Sequence, residues 1–424
     1  MTPHDTPRRV LSVYVTSITL NTFAASIIWG VTTLYLMAAG LNIFQVMLVN
    51  TAFNISKAVF EVPTGVVADT IGRRASYLIS IALVMLSTLL YLATGEFHGG
   101  MAGFVVASAL LAFGWTFASG AVDAWLVDAL DQTGWEGSKD RAFARGAVAG
   151  EVSTLTGTLF GGFLGQANLA WPFVARAIVL TVNLVFVAVA LHDTGFVRRE
   201  LRWSTVLPEM RRIFRSGIHH GWHNPVVRPL MLESMLFGAF FMYGFYSLQP
   251  YLLDLLGKQL VWAAAAVTAI GSLAGITGNT LVPHIMKGRS GRGGSRRRPA
   301  RVMLVMGALA ATATFFAGLS GVLAPKTHGV GPIVILTAMW LVIAFTNGVV
   351  TPVRQTFINE HIPSSERATV LSLDSMFEEA GSAAGQPTLG WISQSVSIPV
   401  AWMVGSVFMV AGLPFLRSAD EAAE

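Results

Sequence analysis

The sequence contains no cysteine, which excludes a disulfide-stapled scaffold. Charge is scarce as well: 28 Lys and Arg with 23 Asp and Glu make up only 12% of 424 residues, about half the quarter usual in soluble domains. Three chemical signatures are missing too. No glycine-rich loop ends in Gly-Lys-Ser/Thr, which disfavours a nucleotide-driven pump, and no HExxH or GxSxG stretch offers zinc-dependent or serine-nucleophile hydrolysis. What fills the chain instead is apolar. Hydrophobic residues reach 53%, 42 glycines come on top, and the mean hydropathy is +0.61. A soluble protein of this size could not hide so much apolar surface, because much of its area must face water. The composition is that of an integral membrane protein.

Crossing the hydrocarbon core takes about 20 mostly apolar residues in a helix. Windows of that kind run over 10–37, 43–67, 75–94, 101–129, 142–165 and 169–191. A second set runs over 226–253, 259–286, 302–323, 332–357, 367–392 and 396–416. They predict an all-α polytopic fold of twelve transmembrane helices in two six-helix bundles, 1–191 and 226–424, joined by a polar linker, 192–225. The runs are too long, and too free of period-2 alternation, for barrel strands. In the linker Trp203, Leu207, Met210, Phe214 and Ile218 recur at helical spacing between arginines, which predicts an amphipathic helix on the anionic inner leaflet.

The positive charges set the orientation. With the N-terminus in the cytosol, 24 of the 28 Lys and Arg fall in the terminal segments and the loops on that side, Arg354 and the run 287–298 among them. The opposite loops carry only Lys258 and Lys326, while Lys57 and Arg176 lie inside spans. Such a bias places both termini in the cytosol and the chain in the cytoplasmic membrane. It also accounts for the basic balance, so no nucleic-acid partner is expected: KGRSGRGGSRRR (287–298) reads as a Gly/Ser-rich loop that sets topology. The i, i+3 pair in His219, His220 and His223 has no acidic neighbours, and neither a metal nor another cofactor is expected.

The two halves echo each other. Asp140-Arg141-Ala142 opens the fifth span and Glu366-Arg367-Ala368 the eleventh. A carboxylate follows in each, Glu151 and Glu378, and then the small-residue pairs Gly157/Gly161 and Gly381/Gly385, which let helix backbones approach closely. The pattern implies two repeated bundles around a midplane site.

After the second span stands GVVADTIGRR (65–74). Its Gly65, Asp69, Gly72, Arg73 and Arg74 resemble the loop signature of the major facilitator superfamily, Gly-x3-Asp-(Arg/Lys)-x-Gly-Arg-(Arg/Lys), with Thr70 in place of a usual basic residue. Glu61-Val62-Pro63-Thr64, SGAVDAWLVDAL (119–130) and RATVLSL (367–373) look like bacterial members of that family, of the drug/proton antiporter type. The resemblance implies a latch between the halves. Gly65 would remove a side chain where the second helix meets the eleventh. Asp69 would sit at that helix's N-terminus, where the macrodipole favours an anion by ~0.3–1 kcal/mol. Gly72 would permit the tight turn, and Arg73 would reach Asp128 at the cytosolic end of the fourth helix.

Ionisable groups within spans cost several kcal/mol if lipid-exposed, so they should face the bundle interior or find partners. Lys57 and Glu61, i, i+4 on the second helix, can neutralise each other, and Arg176 can snorkel outward. Asp123, Glu151, Glu233, Asp374, Glu378 and Glu379 have no evident partner in the sequence. Asp374 and Glu378 share a helix face one turn apart, where two anions would repel in a low dielectric, share a proton and titrate as a coupled unit. Asp123, Glu151, Asp374, Glu378 and Glu379 are therefore the candidates for proton coupling.

The resemblance further implies a cavity lined by the first, fourth, seventh and tenth helices. Their mid-membrane residues include Asn21, Trp29, Trp115, Tyr243, Tyr246, Gln249, Trp340 and Asn347. Aromatics with a few amides suit a moderately apolar or cationic organic molecule; buried Arg or Lys, which an anion carrier needs, is not evident. The function expected is a secondary active transporter rather than an enzyme, moving a small organic solute by alternating access, as proton-coupled efflux of drug-like or antibiotic compounds. Uptake of a metabolite by the same fold stays open, as does a non-transporting membrane sensor. The expected partners are a small-molecule substrate, protons and the lipid bilayer, with the chain acting as a monomer.

Overall fold

The computed structural model describes residues 6–193, 211, 215, 217–257, 260–287, 298–323 and 330–424, and most of the expected linker helix lies outside them. Fourteen α-helices are described. The first eight are α1 Pro7–Ser26, α2 Thr32–Ala38, α3 Ile43–Ile71, α4 Arg73–Glu96, α5 Gly100–Ala118, α6 Ala121–Gln132, α7 Lys139–Ala167 and α8 Trp171–Ala190. The rest are α9 Val227–Leu256, α10 Val261–Met286, α11 Pro299–Val322, α12 Val330–Glu360, α13 Arg367–Ser395 and α14 Ile398–Ala422. No strand occurs among the described residues.

Two apolar windows are interrupted. Between α1 and α2 the chain tightens into i→i−3 turns, Trp29 N–H donating to Ser26 O at 3.1 Å and Val31 N–H to Ile28 O at 3.0 Å. Between α5 and α6 the break falls at Ser119 and Gly120, the latter left-handed at φ +69°. Nine helical stretches among the described residues are long and apolar enough to cross a membrane, α5 and α6 counting as one. α7 and α13 are not among them, because each opens on a charged segment and carries carboxylates in its length.

The chain divides into two compact units. Unit 1 is Met1–Leu41, Ile55–Val206 and Val261–Ala269; unit 2 is Asn42–Asn54, Leu207–Leu260 and Ile270–Glu424. The core of unit 1 runs through Tyr14, Tyr77, Ile81, Trp125, Leu126 and Leu180. Its polar groups find partners inside: Ser17 donates to the Tyr77 hydroxyl at 3.0 Å, and Ser26 to Ser153 O at 3.0 Å. Unit 2 has a core around Leu230, Met303, Val353, Phe357 and Val370. A second, aromatic cluster is centred on Trp402, which meets Phe240 edge-on at 5.3 Å and Tyr251 at 5.6 Å and donates its indole N–H to Ser247 at 2.9 Å.

The glycine pairs explain how the least apolar helices pack. A Cβ at Gly161 of α7 would overlap the Ile27 carbonyl that follows α1, and one at Gly157 would overlap Ser26. In unit 2 a Cβ at Gly385 of α13 would overlap the Ala239 carbonyl of α9, and one at Gly381 that of Met235. Each unit thus seats its Gly-rich, carboxylate-bearing helix backbone to backbone against a neighbour of the same unit, α7 on α1 and α13 on α9.

Gly72 sits at φ +103°, before the first residue of α4, and a Cβ there would come 2.6 Å from the Asp193 carboxylate. Asp193 accepts from Arg74 N–H at 2.8 Å and so satisfies an otherwise open donor of the first turn. Gly72→Ala is expected to cost roughly 1–2 kcal/mol for the left-handed backbone alone, and Asp193→Ala about 0.5–2 kcal/mol as a lost cap. Thermal unfolding in detergent reads both, and an unchanged midpoint for Gly72→Ala would contradict this account of the turn.

Candidate functional site

Three helices of unit 2 bring together a buried arginine and two carboxylates. Arg354 lies in the last two turns of α12, Glu233 in the second turn of α9 and Asp374 in the third turn of α13. The guanidinium holds Asp374 with both edges of its fork, Nε donating to Oδ2 at 2.9 Å and Nη2 to Oδ1 at 2.8 Å. Nη1 donates to Glu233 Oε2 at 2.5 Å, and Nη2 also reaches the Leu230 carbonyl. Ser234 donates to Asp374 Oδ1 at 3.2 Å. The three charged side chains are only 10%, 11% and 13% exposed, so water screens them little. A planar fork that serves two carboxylates at once is what Arg offers and Lys does not.

This geometry corrects the sequence reading at two points. Arg354 is not a loop charge that sets topology; it is a buried ion-pair centre. Asp374 is not without a partner: Arg354 bonds it, although its charge still opposes that of Glu378 one turn away. The signal was available in the sequence, since Arg354 falls inside the apolar window 332–357. Glu378 follows Asp374 by one turn, and its stem packs where α9 has Gly238. One guanidinium therefore faces two bonded carboxylates, with a third close by. Glu379 is half-buried beside them.

The acids of unit 1 are arranged differently. Asp123, exposed on α6, accepts from the Tyr14 hydroxyl at 2.9 Å. Glu151 is exposed on α7. Glu61 accepts from Ser119 at 2.7 Å. Arg176, expected to snorkel, is instead 3% exposed in the interior of unit 1 beside Tyr91. Buried arginine is thus present in both units, contrary to the impression left by the sequence.

The signature residues are placed as follows. Gly65 meets no atom within 4 Å of a built Cβ, so it is not a close-approach glycine among the described residues. The carboxylate at the start of α4 is Asp193, which the sequence reading did not single out. Arg74 donates to the Ala188 carbonyl at 2.6 Å, tying the turn to the end of α8. Arg73 and Asp128 are both half-buried. The Asp69 side chain lies outside the described residues.

The cavity candidates separate into two groups. Asn21 and Trp115 line a cavity inside unit 1. Tyr243, Gln249 and Trp340 are buried in the packing of unit 2, Trp340 being 6.3 Å from Trp402 and Tyr243 bonded to Ser393. Trp29, Tyr246 and Asn347 are half-buried. Trp29 falls in the break between α1 and α2 rather than on a helix, and hydropathy does not reveal which way a helix is rotated.

Comparison with known proteins gives a consistent result. The Major Facilitator Superfamily model matches residues 15–336. The uncharacterized MFS-type transporter YxaM of Bacillus subtilis (strain 168) is 25% identical over 181 residues, which span 42% of this chain and less than half, 43%, of that protein. Among solved structures, the nucleoside transporter NupG superposes with a TM-score of 0.77 at 12% identity, covering 97% of this chain and 98% of that one. A D-xylose-proton symporter gives 0.70 at 14%, covering 97% of both chains. A POT family transporter in complex with 5-aminolevulinic acid gives 0.75 at 16%, covering 98% and 96%. At such identities the structures show the fold alone. With the family model matched over more than half of the chain, the chain belongs to the major facilitator superfamily, and it is a multi-pass membrane protein.

Proposed function

We propose that the protein is a proton-coupled secondary transporter of a small organic solute, and that the Arg354–Glu233–Asp374 cluster with Glu378 is its proton-handling element. The observation that carries this reading is the charge count of the cluster. One buried guanidinium bonds two carboxylates, and Glu378 adds a third acid a turn away. A surplus carboxylate in low dielectric is stabilised by binding a proton or by a change in its surroundings, which couples protonation to helix arrangement. Asp123 with Tyr14, and Glu151, are secondary candidates in unit 1. Gly65, Asp69, Gly72, Arg73, Arg74 and Asp128 belong to the conformational latch of this reading. Both termini are cytosolic, the membrane is the cytoplasmic one, the chain acts as a monomer, and the direction is export of a drug-like compound.

The test uses proteoliposomes loaded with a pH-sensitive dye and exposed to a panel of antibiotics, organic cations and aromatic acids. Wild-type protein is expected to move protons with at least one compound. Glu378→Gln should reduce that proton movement on the order of 100-fold, the scale of removing one positioned proton-transfer group. The same variant should keep counterflow of the labelled compound, which needs no net proton. Proton movement in Glu378→Gln equal to wild type would refute the assignment. Accumulation against lowered content in expressing cells separates uptake, by the same fold, from export.

A further inference from the structure

Unit 1 holds a cavity of about 180 Å³ bounded by α1, α4, α5 and α8. Its lining includes Asn21, Ser80, Val84, Trp115, Arg176 and Leu180. Arg176 is 3% exposed, and its Nε has no hydrogen-bond partner among the described residues. The ionisable group beside it is the Tyr91 hydroxyl, not a carboxylate. No carboxylate lines the cavity among the described residues; Glu61 touches the lining only through Ser119, which donates to its Oε1 at 2.7 Å. A guanidinium remains charged at any physiological pH. Held in a protein interior without a counter-ion it is costly, and such residues inside membrane spans mark ligand paths rather than packing.

We propose that this cavity binds a small aromatic carboxylate, its anionic head on Arg176 and its ring against Trp115, Val84 and Leu180. Size, charge and wall chemistry each narrow the choice. A cavity of ~150 Å³ accepts a benzene ring, so 180 Å³ holds one ring with a short polar head. A single guanidinium neutralises one negative charge, and its planar fork fits the two oxygens of a carboxylate. A divalent phosphate would bring a second charge with no second cation to meet it. A small inorganic anion would leave the walls of Val84, Trp115 and Leu180 without a partner. Asn21 and Ser80 supply neutral donors for remaining lone pairs. The inference deepens the carrier reading by naming a solute class, and it replaces the cationic solute that the aromatic residues alone implied.

The experiment is calorimetric titration of the full chain in lipid nanodiscs with benzoate and, separately, with benzamide, its neutral isostere. Benzoate is expected to bind at least about tenfold more tightly, because its bonds to the guanidinium are charge-assisted. Arg176→Gln should bring benzoate down to the level of benzamide while leaving benzamide within about twofold, and Arg176→Lys should recover part of the preference. Equal affinities in the wild type, or no saturable benzoate signal at millimolar concentration, would overturn the proposal without recourse to any variant. Inorganic phosphate competing as well as benzoate would do the same. Failure here leaves the proton-coupling assignment standing, since that is read from Glu378→Gln in the other unit.

Discussion

Arg354→Met is expected to lower the stability of the folded protein by about 3–5 kcal/mol, the loss typical of removing one partner from a buried ion cluster. The side chain is 10% exposed and bonded to Glu233 and Asp374, which are themselves 11% and 13% exposed. Methionine has similar length and fills much of the space, so the loss reports charge rather than a cavity. What remains is two carboxylates without a cation, in a site that already has Glu378 nearby. Arg354→Met combined with Glu233→Gln and Asp374→Asn should recover most of the stability, because replacing the whole buried set by neutral groups removes the stranded charges. The partly exposed Lys139–Asp131 pair, at 2.6 Å, provides the contrast. Lys139→Met should cost no more than about 1 kcal/mol, since water and salt screen that pair. Denaturant unfolding in a fixed mixed micelle measures all three. A loss below about 1 kcal/mol for Arg354→Met, or a triple variant less stable than the single one, would show that the cluster does not hold α9, α12 and α13 together.

The order of helices was legible because a membrane demands long apolar runs, and the glycine pairs were legible because small residues at i, i+4 have few other uses there. The site was only half legible. Arg354 and Glu233 are 121 residues apart in sequence, and no local pattern indicates that α12 turns its arginine toward α9. Counting Arg354 as an orientation signal was reasonable from its position near a span's end, and that same position concealed its pairing. Arg176 was misread for a related reason: a basic residue early in a span can reach outward or inward with equal ease. Tyr243, Gln249 and Trp340 show the limit from the other side. Their helices were identified from sequence, but the Trp402 cluster that buries Trp340 and the Ser393 hydroxyl that bonds Tyr243 arise only once α9, α12, α13 and α14 are packed. The breaks at 27–31 and 119–120 were likewise hidden, because Ile, Trp and Gly in a greasy run do not interrupt its hydropathy.

Gly161→Val and Gly385→Val are expected to damage the two units to a similar degree, each by more than the roughly 1–3 kcal/mol usual for overpacking a core. Side-chain contacts can relax by rotation, but the atoms met here are the carbonyls of Ile27 and Ala239. To make room, α7 would have to move from α1, and α13 from α9. Moving α13 would also displace Asp374 from Arg354, so Gly385→Val should weaken the proton-coupled signal beyond its effect on folding. Gly161→Val has no such ion cluster on its helix, only the secondary candidate Glu151, and should lower the proton-coupled signal less than Gly385→Val at equal loss of stability. Gly65→Ala completes the comparison. With no atom within 4 Å of the added Cβ, it should leave stability unchanged or raise it by up to about 1 kcal/mol through helix propensity. Thermal midpoints in detergent, with proton movement in liposomes for the folded variants, decide between these outcomes. If Gly385→Val were tolerated like Gly65→Ala, the backbone contact between α13 and α9 would not be the feature that sets the distance across the Arg354 cluster.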